Sequence, residues 1–202
     1  ARHRAVLAAR LGTRPRTPIL LAVGMMRPGA KLASYRLLAR ALQMLVGECW
    51  RLAIVGDGAE EIAVREAFRP LEDRVSFLGR QATGDVPALY AGADLLVWPA
   101  IKEAMGMCFL EAQAAGTPVV GADNLGVPDV VDDGVTGLLP AYNDADAFAT
   151  AVLSLLRDFE HRRRMGAAAT GYALACHDLR SAGRRFVAGL EALVDAGPRS
   201  PS

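Results

Sequence analysis

Short continuous apolar runs alternate with apolar residues at helical spacing along almost the whole chain. Such short, mostly apolar runs of three to six residues suit strands buried on both faces. They fall at 18–23, 51–55, 74–78, 94–98, 118–120 and 137–139. Between them, Leu37, Leu38, Ala41, Leu42 and Leu45 repeat every three to four residues, which predicts a helix over 32–46 that stops at Gly47. The same reading predicts helices over 59–68, stopping at Pro70, and over 85–91 and 107–115, with a short one over 128–131. After Asn143 and Asp144, a capping pair, the remainder predicts helices over 145–158, 160–175 and 178–195. Crossovers of this length require parallel strands, so the expected fold is an α/β, doubly wound, Rossmann-like six-stranded parallel sheet. Residues 1–17 read as an N-terminal helix and stiff linker that would serve the interface of a neighbour. Residues 18–195 read as the Rossmann-like domain, and 196–202 as a frayed tail.

Composition narrows the class. Of 202 residues, 52% are apolar and 22% charged, which excludes disordered, collagen-like and coiled-coil chains. Lys and Arg number 23 against 22 Asp and Glu, a net charge of +1, so there is no basic field to bind nucleic acid. Cys49, Cys108 and Cys176 are too few and too widely spaced for a disulfide framework or a zinc site, and they fit a reducing cytoplasm. No His, Asp and Cys cluster has metal-ligand spacing, so no metal is expected. His3, His161 and His177 read as surface or structural. The longest apolar stretches fall far short of the ~18 residues of a transmembrane segment, and no signal peptide is expected. The chain opens at Ala1 in charged helical sequence and reads as a piece of a longer protein.

In a doubly wound sheet, ligands bind outside the carboxyl ends of the strands. The loop after the first predicted strand holds Arg27 and Lys31 just ahead of a helix, where amides and the helix dipole already favour an anion. The two side chains form a candidate diphosphate clamp; an ordinary solvated loop is the alternative. Gly56, Asp57 and Gly58 follow the second strand, but Glu61 stands where a dinucleotide fingerprint needs its third glycine, which argues against a nicotinamide site. The fourth strand leads to Glu103, Gly106 and Glu111. Glu103 lies in a loop expected to face the cleft. Gly106 permits a tight turn, leaving the amides of Met107, Cys108 and Phe109 as unpaired first-turn donors. Glu111 lies in an otherwise apolar helix that reads as buried, so its carboxylate calls for hydroxyl donors such as those of a sugar or ribose. A solvent edge or a structural salt bridge would serve as well.

The run from Glu103 to Glu111, continuing to Pro118 and Val120, resembles the E-x7-E signature of the group 1 (family 4) glycosyltransferases. Val55-Gly-Asp-Gly is similar to the family's glycine turn, and Val75 to Gln81 to its base-contacting segment. Gly126 to Val131 and Gly134 to Leu139 resemble its late loop and last strand. The resemblance spans about residues 4–195. It implies one half of a two-Rossmann-domain (GT-B) fold, the half that binds a nucleoside diphosphate-sugar donor (UDP-, GDP- or ADP-sugar), with the acceptor-binding N-terminal domain missing. It further implies that Glu111 bonds the ribose and Glu103 the donor sugar. The amides of Met107, Cys108 and Phe109 would touch sugar or diphosphate, Arg27 and Lys31 would neutralise the leaving group, and backbone at Gly56, Gly79 and Arg80 would flank the nucleotide. The implied reaction is retaining transfer to an acceptor hydroxyl, with the isolated domain binding donor without efficient transfer and the missing half able to contact a membrane. One departure stands out: Met25 follows Gly24 where the family usually has Arg, which makes Lys31 a firmer assignment than Arg27. Another is Asp129, where the late loop usually carries Glu. A nucleotide-binding module without catalysis is the alternative, though intact Glu103, Glu111 and Lys31 argue against it. A sugar-nucleotide epimerase or phosphorylase on the same scaffold would need other residues.

Overall fold

The computed structural model describes residues 2–14, 16–177, 183, 186–188 and 191. The tail at 196–202 lies outside the described residues, as do all but isolated positions of the helix expected over 178–195. Six parallel strands form one sheet: β1 (Ile19–Val23), β2 (Arg51–Val55), β3 (Val75–Gly79), β4 (Leu95–Val97), β5 (Val119–Val120) and β6 (Gly137–Leu138). Their order is β3-β2-β1-β4-β5-β6, so the chain winds outward from β1 and then restarts beside it at β4. This is the doubly wound sheet that the pattern predicts, and its switch point lies between β1 and β4.

Among the described residues the sheet is covered by α1 (Arg2–Arg10), α2 (Ala30–Gln43), α3 (Glu61–Phe68), α4 (Val86–Gly92), α5 (Met107–Ala114), α6 (Ala145–Arg157) and α7 (Phe159–Cys176). The central strands bury both faces, with Ile19 to Ala22 and Leu52 to Ile54 fully enclosed, which is why they read as unbroken apolar runs. Asp144 caps α6 by accepting from the amides of Asp146 and Ala147.

One local expectation needs correction. Residues 128–131 form turns rather than a helix. The bond from Val131 N–H to Val127 O is followed at Asp132 by a link to the Thr136 hydroxyl, so the turn is not propagated. Pro70 lies just past the end of α3 at Phe68, as expected. It sits at the start of a 3-10 stretch (Arg69–Arg74), where a missing amide is tolerated. Helix α1 packs on α4 of the same chain. Leu7 and Leu11 join the core, and Arg4 pairs with Asp94 at the entry of β4.

Candidate active site

Two loops meet at the switch point. The loop after β1 turns at Gly24, whose carbonyl accepts the Tyr35 hydroxyl (2.7 Å), and enters α2 at Ala30. Beside it runs the loop after β2, so close that a Cβ on Gly56 would stand 1.9 Å from Gly24 O. Only glycine fits there, and the two loops are tied by Met26 N–H to Asp57 O (2.8 Å). Gly56 N–H in turn donates to Gly79 O (3.0 Å), which joins the loop after β3 to the same edge. Three of the predicted loops thus form one continuous rim.

Lys31, in the first turn of α2, donates its Nζ to Glu103 Oε2 at 2.6 Å. The sequence separates these residues by 72 positions; the switch point brings them together. Lys31 Nζ also lies 5.3 Å from the centre of the Trp98 ring, and Trp98 stacks edge-on against Tyr35. These buried rings form the floor under the pair. Arg27 is exposed and joins no ion pair among the described residues.

Gly106 initiates α5 in the left-handed conformation (φ 63°) that favours glycine. Phe109 N–H turns back to Gly106 O (2.9 Å), so Phe109 is not the open donor the sequence leads one to expect. Among the described residues, the amides of Met107 and Cys108 have no carbonyl partner. A second correction concerns Glu111. It is exposed, not buried, because α5 buries only Phe109, Ala112 and Gln113 and opens its other side to the rim. Glu111 Oε2 accepts the Tyr90 hydroxyl at 2.8 Å. Tyr90, which sequence reasoning passed over, is itself fully buried and is anchored by Thr117 Oγ1 donating to its carbonyl. Its phenol is held protonated, by burial first and, with the neighbouring thiol neutral, by the charge of Glu111.

Between the two pairs lies the Cys108 thiol. Burial pushes its pKa up to about 12; Glu103 adds to the rise, Lys31 opposes it, and Glu111 adds again. All three charged groups therefore act on one point, and the thiol itself stays neutral and unreactive. A cavity of about 520 Å³ opens beside Glu111, lined by Val23, Gln81, Thr83, Val86, Pro87, Tyr90, Ala114 and Ala115. Arg80 is exposed at its approach, and the carbonyls of Leu78 and Arg80 accept from Gln81. A more open groove of about 700 Å³ lies between α2 and α3, on an outer helical face away from these groups.

The doubly wound sheet defines a Rossmann-type domain, and an apolar slot ending in a carboxylate, next to a cation and helix amides at its switch point, has the chemistry to suit an anionic, hydroxyl-bearing ligand. The model of the family "Glycosyl transferases group 1" matches residues 17–158, and the chain belongs to that family. It is 36% identical over 181 residues to D-inositol 3-phosphate glycosyltransferase of Nocardia farcinica, covering 84% of this chain and 40% of the relative. Sucrose-phosphate synthase from Thermosynechococcus elongatus superposes with a TM-score of 0.78 at 25% identity, over 96% of this chain and 49% of that one. HepE of Anabaena, solved in complex with UDP and glucose, superposes with a TM-score of 0.77 at 21% identity, over 95% of this chain and 52% of that one. The chain thus spans about half or less of the length of the relatives it matches. No helix among the described residues is long and apolar enough to cross a membrane.

Proposed function

We propose that this chain is the donor-binding domain of a glycosyltransferase that moves a sugar from a nucleoside diphosphate to an acceptor hydroxyl. The observation that carries the reading is the convergence of Lys31, Glu103 and Glu111 on one rim at the switch point. In this reading the base enters the cavity beside Gln81 and Thr83, near backbone at Gly79 and Arg80. Glu111, oriented by Tyr90, takes the ribose hydroxyls, and Glu103 takes hydroxyls of the donor sugar. The diphosphate lies over the amides of Met107 and Cys108 and draws Lys31 away from Glu103. Arg27, from the loop after β1, joins it in this reading. Negative charge grows on the departing diphosphate as the sugar leaves, and Lys31, already drawn to the bound diphosphate, stabilises that charge together with the preset amides. HepE, which shares the fold, was solved with UDP and glucose, in keeping with a nucleotide-sugar donor.

The acceptor side falls to a second domain across the cleft, consistent with the half-length match. The chain alone then binds donor but transfers little, because proximity to the acceptor is what it lacks. Transfer by the full protein proceeds with retention at the anomeric carbon, which is readable from the product by NMR. The primary test is calorimetric titration of the chain with UDP, GDP and ADP, beside Glu111→Ala. Binding of one nucleotide that the variant loses supports the donor site and identifies the base. Absence of binding to all three, by this chain and by the full-length protein, overturns it.

A further inference from the structure

The loop that carries Glu103 is held in a conformation it would not choose. Ala100 (φ 55°) and Lys102 (φ 51°) both sit in the left-handed region, which residues with a Cβ adopt only when their surroundings impose it. Ile101 lies between them. Two side chains from outside the loop grip it there. Ser34, fully buried in α2, donates its hydroxyl to Ala30 O (2.9 Å) and accepts the Ile101 N–H (2.9 Å). Asn124, in the loop after β5, donates Nδ2 to Ala100 O (2.9 Å). The same carbonyl accepts Glu103 N–H (3.2 Å), which closes the turn.

A serine buried inside a helix and bonded only to its own preceding turn is mildly unfavourable. Ser34 has a second partner, and that partner is two residues from Glu103. Ser34 also follows Lys31 by three residues on α2. One hydroxyl therefore joins the element bearing the cation to the loop bearing the carboxylate.

We propose that Ser34 and Asn124 are positioning residues for the donor sugar: together they hold the left-handed loop so that Glu103 stands at the sugar corner beside Lys31. The proposal deepens the donor-domain reading and rests on it. Neither residue touches the ligand in this role, so the test must separate sugar placement from general folding. Amide hydrogen exchange of the ligand-free chain provides the first readout. Ser34→Ala should speed exchange at Ile101 by about fivefold, the factor that one neutral hydrogen bond represents, and Ser34→Thr should restore protection. Titration with UDP and with UDP-glucose, or with the guanosine or adenosine pair that the wild type prefers, provides the second. Ser34→Ala and Asn124→Ala should each weaken the sugar-bearing ligand by about fivefold relative to the sugar-free one. Equal weakening of both ligands makes these residues scaffold and overturns the proposal, as does unchanged exchange at Ile101. A wild-type chain that binds neither member of any pair overturns the donor-domain reading itself, and the sugar-positioning role with it. Ile101 exchange is measured without ligand, so it distinguishes that failure from a failure of the grip.

Discussion

Two carboxylate–cation pairs stand at opposite ends of the same strands. At the amino-terminal edge, Asp94 holds Arg4; at the carboxyl edge, Glu103 holds Lys31. Their side chains are similarly enclosed, 14% and 34% exposed for Asp94 and Arg4 against 19% and 25% for Glu103 and Lys31. They differ in how fully they are satisfied. Asp94 also accepts the Ile19 amide (2.7 Å), and Arg4 also donates to Thr17 O (3.0 Å). Buried Arg162 stands near the same carboxylate and spends its own donors on the carbonyls of Leu155 and Leu156. Every partner at that edge belongs to the protein, and the result is a fastening of α1, β1 and β4. Lys31 and Glu103 hold chiefly each other, on a loop gripped from behind, next to two amides with no carbonyl. Unmet bonding capacity, rather than the presence of a charge pair, separates a site from a joint.

That contrast can be broken at either end. The largest effect is expected from Asp94→Ala, which strips partners from Arg4 and from the Ile19 amide at once. Thermal or urea unfolding should show a loss of about 2–4 kcal/mol, with nucleotide affinity of the folded fraction unchanged. A stable variant with impaired binding would reverse the assignment of the two edges. Lys31→Ala is expected to act the other way, with little change in melting temperature. Its diphosphate affinity should fall by about 2 kcal/mol, measured by calorimetry against the nucleoside, which should bind as before. Equal losses for both ligands would remove the clamp. Glu111→Ala should cost about 1.4 kcal/mol, a tenfold loss, for nucleoside and nucleotide alike. If affinity held while stability fell, Glu111 would be only a partner for Tyr90.

The smallest effect, absent at neutral pH, concerns Cys108. Its folded pKa of about 12 lies above the ordinary thiol value of 9.0. Its neutral form therefore favours the fold fully below about pH 9, and that contribution is lost as pH rises toward 12. Cys108→Ala should flatten the alkaline decline in unfolding free energy over that window and leave it unchanged at pH 7. In the wild type, exposed Cys49 should react with a thiol reagent at pH 8 while Cys108 does not.

Much of this molecule is legible in one dimension. Strand runs such as Ile19 to Val23 and Arg51 to Val55 are continuous because both faces are covered, and period alone locates them. Alternation with helices then dictates parallel strands and a switch point, and the spacing of Glu103 to Glu111 carries the family resemblance. Pattern fails where a short-range signal competes with a contact from far away. Residues 128–131 hold enough apolar residues for a helix, yet Thr136 captures the next amide. The composition of α5 says buried, but one of its sides meets a cleft rather than a neighbour, so Glu111 is exposed. Pairings such as Lys31 with Glu103 and Tyr90 with Glu111, and the grip of Ser34 and Asn124 on loop 100–103, carry no local signature. Sequence alone settled most of the elements, because propensity and period act over a few residues at a time. Tertiary structure alone decided which side chains meet, because the meeting depends on the parallel pairing of β1 with β4, which joins positions some 70 residues apart.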